Sequence, residues 1–368
     1  MRTVSKICMI LLVMTSCAEV EVSDSDVVAL PDVKHGRLAF KDLETYSSFI
    51  EQTIDGDVYE VVHSLQGGFH TLRDHNRDRS SSTNAKSKDN DDEMDNVVWD
   101  PYFENLLNGD REIEILNVIY RITEVGVFFY TNESDKVKLD SIEAAWIRKY
   151  KKTGRMSEVV CLGQPYLVDD SINYLPGGNC DSYGGGGYYG GGGSPTPPAP
   201  PGLCGLSNNH ASCPGSAKNI FGVNHTCELY LTGTGDRRIK GKFWSQNYVI
   251  FSSAGTNTRS QNHWLGAWWA EKADQIYLTF EGEIEQKDPF NNYWTYQVAT
   301  DPIWRGNENE ISRTFEWASA IVGTGCDPVT GQCKPKFKPA SPFKIKSMRT
   351  CHYVLDEGRH AEVALVYQ

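Results

Sequence analysis

Apolar and polar positions divide this 368-residue chain into two kinds of text, separated by a stretch that is mostly glycine and proline. In the first part, Gly36-Arg37-Leu38-Ala39-Phe40 alternates like a short strand, and Asp42 stands where the N-cap of a helix belongs. That helix is predicted over Leu43 to Thr53, with Leu43, Tyr46, Phe49 and Ile50 on one face. Residues 73–96 are charged, rich in Ser and Asn and nearly free of apolar side chains, which predicts a disordered loop. Order resumes at Val97-Val98-Trp99. Asp100-Pro101 then opens a short helix through Leu106-Leu107, with proline at its first position. Two strands are predicted within Glu112 to Ile122 around Leu116-Asn117, and a third over Val125 to Tyr130. Ser141 is expected to cap a helix from Ile142 to Lys151.

Beyond residue 203 the text turns to strands: Cys227 to Leu231, Arg238 to Trp244, Tyr248 to Ser252, Gln275 to Ile284, Tyr293 to Ala299, Ile311 to Ala320, Phe343 to Leu355 and Ala361 to Tyr367. Asp356-Glu357-Gly358 supplies a hairpin turn between the last two. Short strands with Gly and Asn turns predict a mainly antiparallel, sandwich-like domain. Between the two parts, 17 of the 28 residues from Pro176 to Leu203 are Gly or Pro, too little apolar surface for self-ordering, so the segment reads as a linker. The expected fold class is therefore α+β. A small N-terminal α+β module spans 30–175 with the loop at 73–96, a Gly/Pro-rich linker spans 176–203, and a disulfide-stapled β domain spans 204–368.

Ahead of these lie a basic start (Arg2, Lys6), an apolar run from Ile7 to Met14, and Thr15-Ser16-Cys17. Residues 1–16 thus carry the parts of a secretory signal. As a helix the apolar run reaches roughly 12 Å against the roughly 30 Å of a bilayer core, so it does not span. Met14-Thr15-Ser16-Cys17 resembles the lipobox of bacterial lipoproteins, with Met where Leu is usual and Ser where Gly or Ala is usual. The resemblance implies lipidation at Cys17 and attachment to the membrane through an N-terminal lipid anchor. It implies an exported outer-membrane lipoprotein facing the periplasm or the cell surface. Residues 17–29 read as an acidic tether carrying Glu19, Glu21, Asp24 and Asp26.

Charge is uneven. From Ala18 to Leu203 there are 17 Lys+Arg and 32 Asp+Glu, a balance of −15, whereas Cys204 to the end has 17 and 16, a balance of +1. An acidic N-terminal half argues against a nucleic-acid partner. Besides Cys8 and Cys17 there are eight cysteines, an even set that predicts disulfides in an exported chain. Proximity suggests Cys326 with Cys333, Cys204 with Cys213 and Cys161 with Cys180. Cys227 and Cys351 would staple an early strand to a late one. Cys-x-x-Cys is absent, so neither a redox dithiol nor a zinc knuckle is expected.

Several segments resemble uncharacterised lipoproteins of the Bacteroidota: Gly36 to Phe40 with the following helix, Asp100-Pro101-Tyr102-Phe103-Glu104-Asn105-Leu106-Leu107-Asn108, Glu112 to Ile115 and Val118 to Ile122. Gly241 to Trp244, Ser252 to Gly255 and Ala273-Asp274 are similar in flavour. These families carry no assigned activity. The acidic stretch behind Cys17 resembles the surface-export signal of that phylum, and Asp140-Ser141-Ile142 and Asp170-Ser171-Ile172 resemble its short O-glycosylation site.

Candidate chemistry is sparse. Glu281, Glu283 and Glu285 alternate and so share one strand face. They resemble the Glu-x-Asp-x-Glu strand of jelly-roll glycosidases, with Glu283 where Asp is normal, which implies a glycan hydrolase. Along a regular strand, neighbours lie roughly 7 Å apart, wider than the roughly 5–5.5 Å of retaining enzymes. His-Glu-x-x-His and Gly-x-Ser-x-Gly are absent, and Met94 replaces the glycine that an EF-hand loop needs in Asp89 to Asp95. No metal and no cofactor are expected. Seven of the nine tryptophans follow the linker, and Trp264, Trp268 and Trp269 are the candidate glycan platform, since an indole face suits the apolar face of a sugar. The expected role is non-enzymatic binding or adhesion, with a glycan or protein ligand. The alternatives are the hydrolase and a structural component of envelope assembly.

Overall fold

The computed structural model describes residues 30–56, 58–65, 68–76, 97–153, 166–175, 210–213, 217–219, 221–264, 267–287, 293–326 and 333–367. The signal and tether at 1–29 with Cys17, the linker at 176–203, and Cys161, Cys180 and Cys204 lie outside the described residues. Of the segment expected to lack order from 73 onward, 72–76 form a helical turn and 77–96 lie outside.

The N-terminal region is built on one seven-stranded sheet in the order β1 (Asp32–Lys34), β2 (Arg37–Phe40), β3 (Glu112–Ile115), β4 (Val118–Thr123), β5 (Gly126–Tyr130), β7 (Ile172–Leu175), β6 (Tyr166–Asp169). Only β2 and β3 pair in parallel. Alternation gives the sheet two faces. On one, Phe40 meets Tyr46 and Phe49 of α1 (Leu43–Thr53) edge-on at 5.1 and 5.5 Å. Asp42 caps α1 as expected, accepting the Thr45 N–H at 2.7 Å. Two shorter helices, α2 (Val58–His63) and α3 (Pro101–Glu104), follow. The other face carries Phe128, against which Trp146 of α4 (Lys136–Thr153) packs at 5.3 Å.

That second face also buries charge. Arg37 and Arg121 pair with the two oxygens of Glu112 at 3.2 and 3.1 Å, and the Tyr130 hydroxyl donates to the same carboxylate at 2.8 Å. Charges shut away from water persist only when paired in this way. Ser141 does not cap α4. The helix starts at Lys136, out of a 3-10 turn over Glu133–Asp135, and Ser141 Oγ donates back to the Val137 carbonyl at 3.3 Å, as mid-helix serines do.

The rest of the chain forms two six-stranded sheets. The first runs β13 (Ala267–Ala270), β12 (Phe251–Trp264), β11 (Arg237–Asn247), β10 (Gly222–Tyr230), β9 (Ala217–Asn219), with β17 (Glu310–Ser319) also on β12. The second runs β15 (Tyr293–Ala299), β14 (Ala273–Lys287), β20 (Phe343–Asp356), β21 (Arg359–Tyr367), β8 (His210–Cys213), with β16 (Ile303–Glu308) also on β14. A hairpin of β18 (Ile321–Cys326) and β19 (Cys333–Lys338) forms a separate pair. Ile239, Phe243 and Ala254 of the first sheet share a core with Ile276, Leu278, Phe280, Val354 and Val363 of the second.

The α+β expectation is corrected by this architecture. Among the described residues the protein is mostly β, 57% strand and 19% helix. The N-terminal region is a sheet faced by helices rather than a small balanced module. Its outer strands are three or four residues long, too short to display a period.

The two regions share a second core. The turn Tyr248 to Phe251 between β11 and β12 is buried with the N-terminal apolar residues, and Phe103 of α3 stacks on Tyr248 and on Phe251, each at 4.8 Å. Cys213 of β8 is disulfide-bonded to Cys227 of β10, Cα atoms 5.5 Å apart, and ties one sheet of the C-terminal region to the other. This corrects the expected pairs Cys204–Cys213 and Cys227–Cys351. Parallel pairing of β8 with β21 delivers Cys213 beside β10, a placement that no local spacing encodes. Cys351 is disulfide-bonded too, and Cys326 stands opposite Cys333 in the β18–β19 register.

Candidate functional site

Because Ile239 and Phe243 point into the sandwich, Arg238, Lys240, Lys242, Trp244 and Gln246 of β11 point out of it. Gln261, Arg259, Asn257, Gly255 and Ser253 lie opposite them on β12. One end of this polar face is sealed by the N-terminal region. Gln246 accepts the Trp99 N–H at 2.7 Å and donates to the Val97 carbonyl at 3.0 Å, while Lys242 Nζ donates to the Trp99 carbonyl at 3.1 Å. Thr314 Oγ1 donates to Asp100 at 3.1 Å, and Arg73 and Arg259 reach Glu310 at 2.8 and 3.0 Å. Burial pushes the Asp100 carboxyl up to about 6, against the opposing pull of Ser253, the Tyr102 N–H, Thr314 and Lys242. Burial also acts on Glu310, but Arg259, Arg73 and Lys242 outweigh it and hold that carboxyl at about 2. This end is an internal seam.

The other end of the same face is open and aromatic. Arg238 lies over the Trp268 ring, 4.0 Å from its centroid, a cation–π contact. Tyr230 and His263 approach the same ring at 5.7 and 5.0 Å. Gln261 Oε1 accepts from Arg238 at 2.9 Å and Glu228 pairs with its guanidinium, so the cation is held in place. Tyr230 is 51% exposed and Trp264 65%. Register splits the predicted trio. Trp268 stands opposite His263, whereas Trp269 stands opposite Asn262 and so on the other side. Trp269 donates its indole N–H to the Trp264 carbonyl at 3.1 Å. Trp268 therefore belongs to the Tyr230–Arg238–His263 group, and Trp264 and Trp269 form a separate pair at the same corner. Tyr230, Arg238 and His263 escaped sequence reasoning. Alternation from Ile239 marks Arg238 as outward, but only the β10–β11–β12–β13 register brings the four side chains together.

Glu281, Glu283 and Glu285 share the outer face of β14. The register slip between Glu283 and Ile284 leaves the extra residue, Lys346, on β20, so β14 stays regular and the carboxylates keep a spacing of roughly 7 Å. Gln297 donates to Glu283 at 2.9 Å and Lys346 pairs with Glu285 at 3.3 Å. Side by side on one strand, these groups do not flank a bond from two sides as a glycosidase pair does. His352 is buried between the sheets, 2.7 Å from Thr258 and from Thr350. Thr258 gives its proton to the Tyr277 carbonyl, so it accepts from His352 Nδ1–H, and Nε2 accepts from Thr350. Burial drives the imidazole down to about 3, so it is neutral at pH 7. Among the described residues no group of three or more His, Cys, Asp or Glu is arranged to hold a metal, and no helix is long and apolar enough to cross a membrane.

No family model matches the chain, and no curated protein matches it. Among solved structures, a DUF4848 family protein from Bacteroides thetaiotaomicron VPI-5482 aligns over 92% of this chain and 100% of its own, with 8% identity and a TM-score of 0.17. A superposition that poor establishes neither a common fold nor a common activity.

Proposed function

We propose that this chain is a membrane-anchored envelope or cell-surface lipoprotein that binds a glycan without turning it over. The observation that carries the reading is the open aromatic corner of the first sheet. Trp268 is braced by Arg238, Tyr230 and His263, and the well-exposed Trp264 lies at the same corner on the other side of the sheet. Rings held rigidly at a surface stack on sugars with little entropy left to lose, and the Arg and His edges offer donors to hydroxyls. The Cys213–Cys227 disulfide supports an oxidising compartment, in line with export through the 1–16 signal and anchoring at Cys17. The hydrolase alternative has less support, because its three glutamates lie side by side and two are engaged by Gln297 and Lys346.

Two experiments test the parts separately. Acyl labelling should be abolished and the protein released in soluble form by Cys17→Ala; a mutant that stays membrane-bound overturns the anchor. A glycan array probed with the full chain should give hits that Trp264→Ala and Trp268→Ala each weaken. An array without hits, together with a stable co-purifying protein, would favour the structural role in envelope assembly instead.

A further inference from the structure

The outer face of the second sheet carries an aromatic row that the sequence did not single out. Ile276, Leu278, Val354, Ala361 and Val363 point into the core, so Tyr277, Tyr353, His360 and Glu362 point out. Register places Trp304 of β16 opposite Tyr277 of β14, Tyr277 opposite Tyr353 of β20, and Tyr353 opposite Glu362 of β21. Trp304 packs on Tyr277 with centroids 4.5 Å apart and meets Tyr353 edge-on at 6.1 Å. Tyr353 lies nearly parallel to His360 at 6.3 Å and 22°. The row thus crosses four adjacent strands, roughly 14 Å at the strand pitch.

Its members differ in exposure. Tyr277 is 7% exposed and acts as the support beneath Trp304, which is 44% exposed; Tyr353 and His360 are half-buried. Burial pushes the Tyr277 and Tyr353 phenols up, with a smaller push from Glu362 and, at Tyr277, an opposing hydrogen bond with Thr279. A core-packing role does not account for Trp304. Its ring lies outside the sandwich and its contacts are with other rings of the row.

We propose that Trp304, Tyr353 and His360 form a second glycan-contacting face, on the sheet opposite the Trp268 corner, that takes consecutive rings of an extended sugar chain. Neighbouring rings of the three lie 6.1 and 6.3 Å apart, near the repeat of one pyranose in such a chain, so neighbouring aromatics meet neighbouring sugars. The Tyr353 phenol presents a polar edge toward equatorial hydroxyls. The choice of a glycan rests on the function proposed above, whereas the site itself rests on separate residues.

Affinity electrophoresis of the full chain in detergent tests this, using gels that contain galactomannan, hydroxyethyl cellulose or soluble starch. Trp304→Ala should weaken the apparent affinity for at least one polymer by roughly 3–10-fold, the worth of one aromatic platform. Trp304→Phe should recover part of the loss. Thermal unfolding of both variants should match wild type, which separates lost contact from lost fold. Trp264→Ala and Trp268→Ala are run alongside. If they weaken retardation and Trp304→Ala does not, the second face is overturned while the first stands. If only Trp304→Ala acts, the second face stands and the Trp268 corner falls. Wild-type mobility unchanged by all three polymers overturns the proposed face.

Discussion

The two outward sheet faces of the C-terminal region share an architecture and differ in fate. That of β10–β13 and β17 is rich in Lys, Arg, Asn and Gln, and one end is sealed beneath the N-terminal region by hydrogen bonds from Trp99, Lys242, Gln246 and Thr314. That of β14, β20 and β21 carries a row of neighbouring rings across its strands, with Trp304 left in contact with water. A buried polar group must be satisfied or it costs about 1–3 kcal/mol, so the covered face is specified atom by atom. An exposed ring carries no such constraint. What a sheet face shows to solvent therefore reports on ligands better than what it buries.

The comparison is broken most severely at the seam. Phe103→Ala removes the ring stacked on Tyr248 and Phe251 and should cost about 3–5 kcal/mol in urea unfolding. A loss below 1 kcal/mol would mean that the two regions are not energetically joined there. Removing the second tie by Cys213→Ser with Cys227→Ser should cost about 3 kcal/mol, given a separation of 14 residues. An unchanged midpoint would contradict it.

Asp100 sharpens the contrast through pH. Its carboxyl is raised in the folded state to about 6 from 3.8, so its contribution is fully present below 3.8 and is lost as pH rises through 6. Relative to Asp100→Asn, which keeps the helix cap, wild type should lose about 2–3 kcal/mol between pH 4 and pH 7.5. His352, depressed to about 3, acts in the opposite sense, with stability present above 6.5 and lost as pH falls through 3. It is common to both proteins and cancels in the difference. A flat difference across the range would refute the assignment. The smallest stability effect belongs to the open face, where Trp304→Ala should shift stability by less than about 1 kcal/mol. A larger shift would make Trp304 part of the scaffold.

Several local signals in the sequence proved faithful, whereas the Ser141 cap did not, because the helix begins at Lys136. Asp42 caps α1 over the predicted span, and Leu116-Asn117 turns β3 into β4 through two positive φ angles, 55° and 57°. Asp100 and Pro101 open α3 as predicted. Most of β12 was missed, since only its first two residues fell inside a predicted strand. Ser252-Ser253-Ala254-Gly255-Thr256-Asn257-Thr258 has neither alternation nor apolar bulk, yet it is buried along its length. Its polar side chains are satisfied by β11, β17 and groups from other elements: Thr256 donates to the Lys242 carbonyl, Thr258 to the Tyr277 carbonyl, and Asn257 to Glu310. Gly255 is required because any Cβ there would overlap the Trp244 ring. The candidate corner was half legible. Its tryptophans were visible as a cluster, but their split between two sides and their Arg238 partner were not.

By itself, then, the sequence determined what is local: helix caps, turns, the alternation that sends Glu281, Glu283 and Glu285 to one face, and the residues from which a tether and signal are read. The tertiary structure alone decided which cysteines pair, which polar strand is buried, and which aromatic rings converge on an open face. Those outcomes depend on register between segments far apart in the chain. A one-residue change in register sends a side chain to the opposite face, and no short-range pattern carries that information.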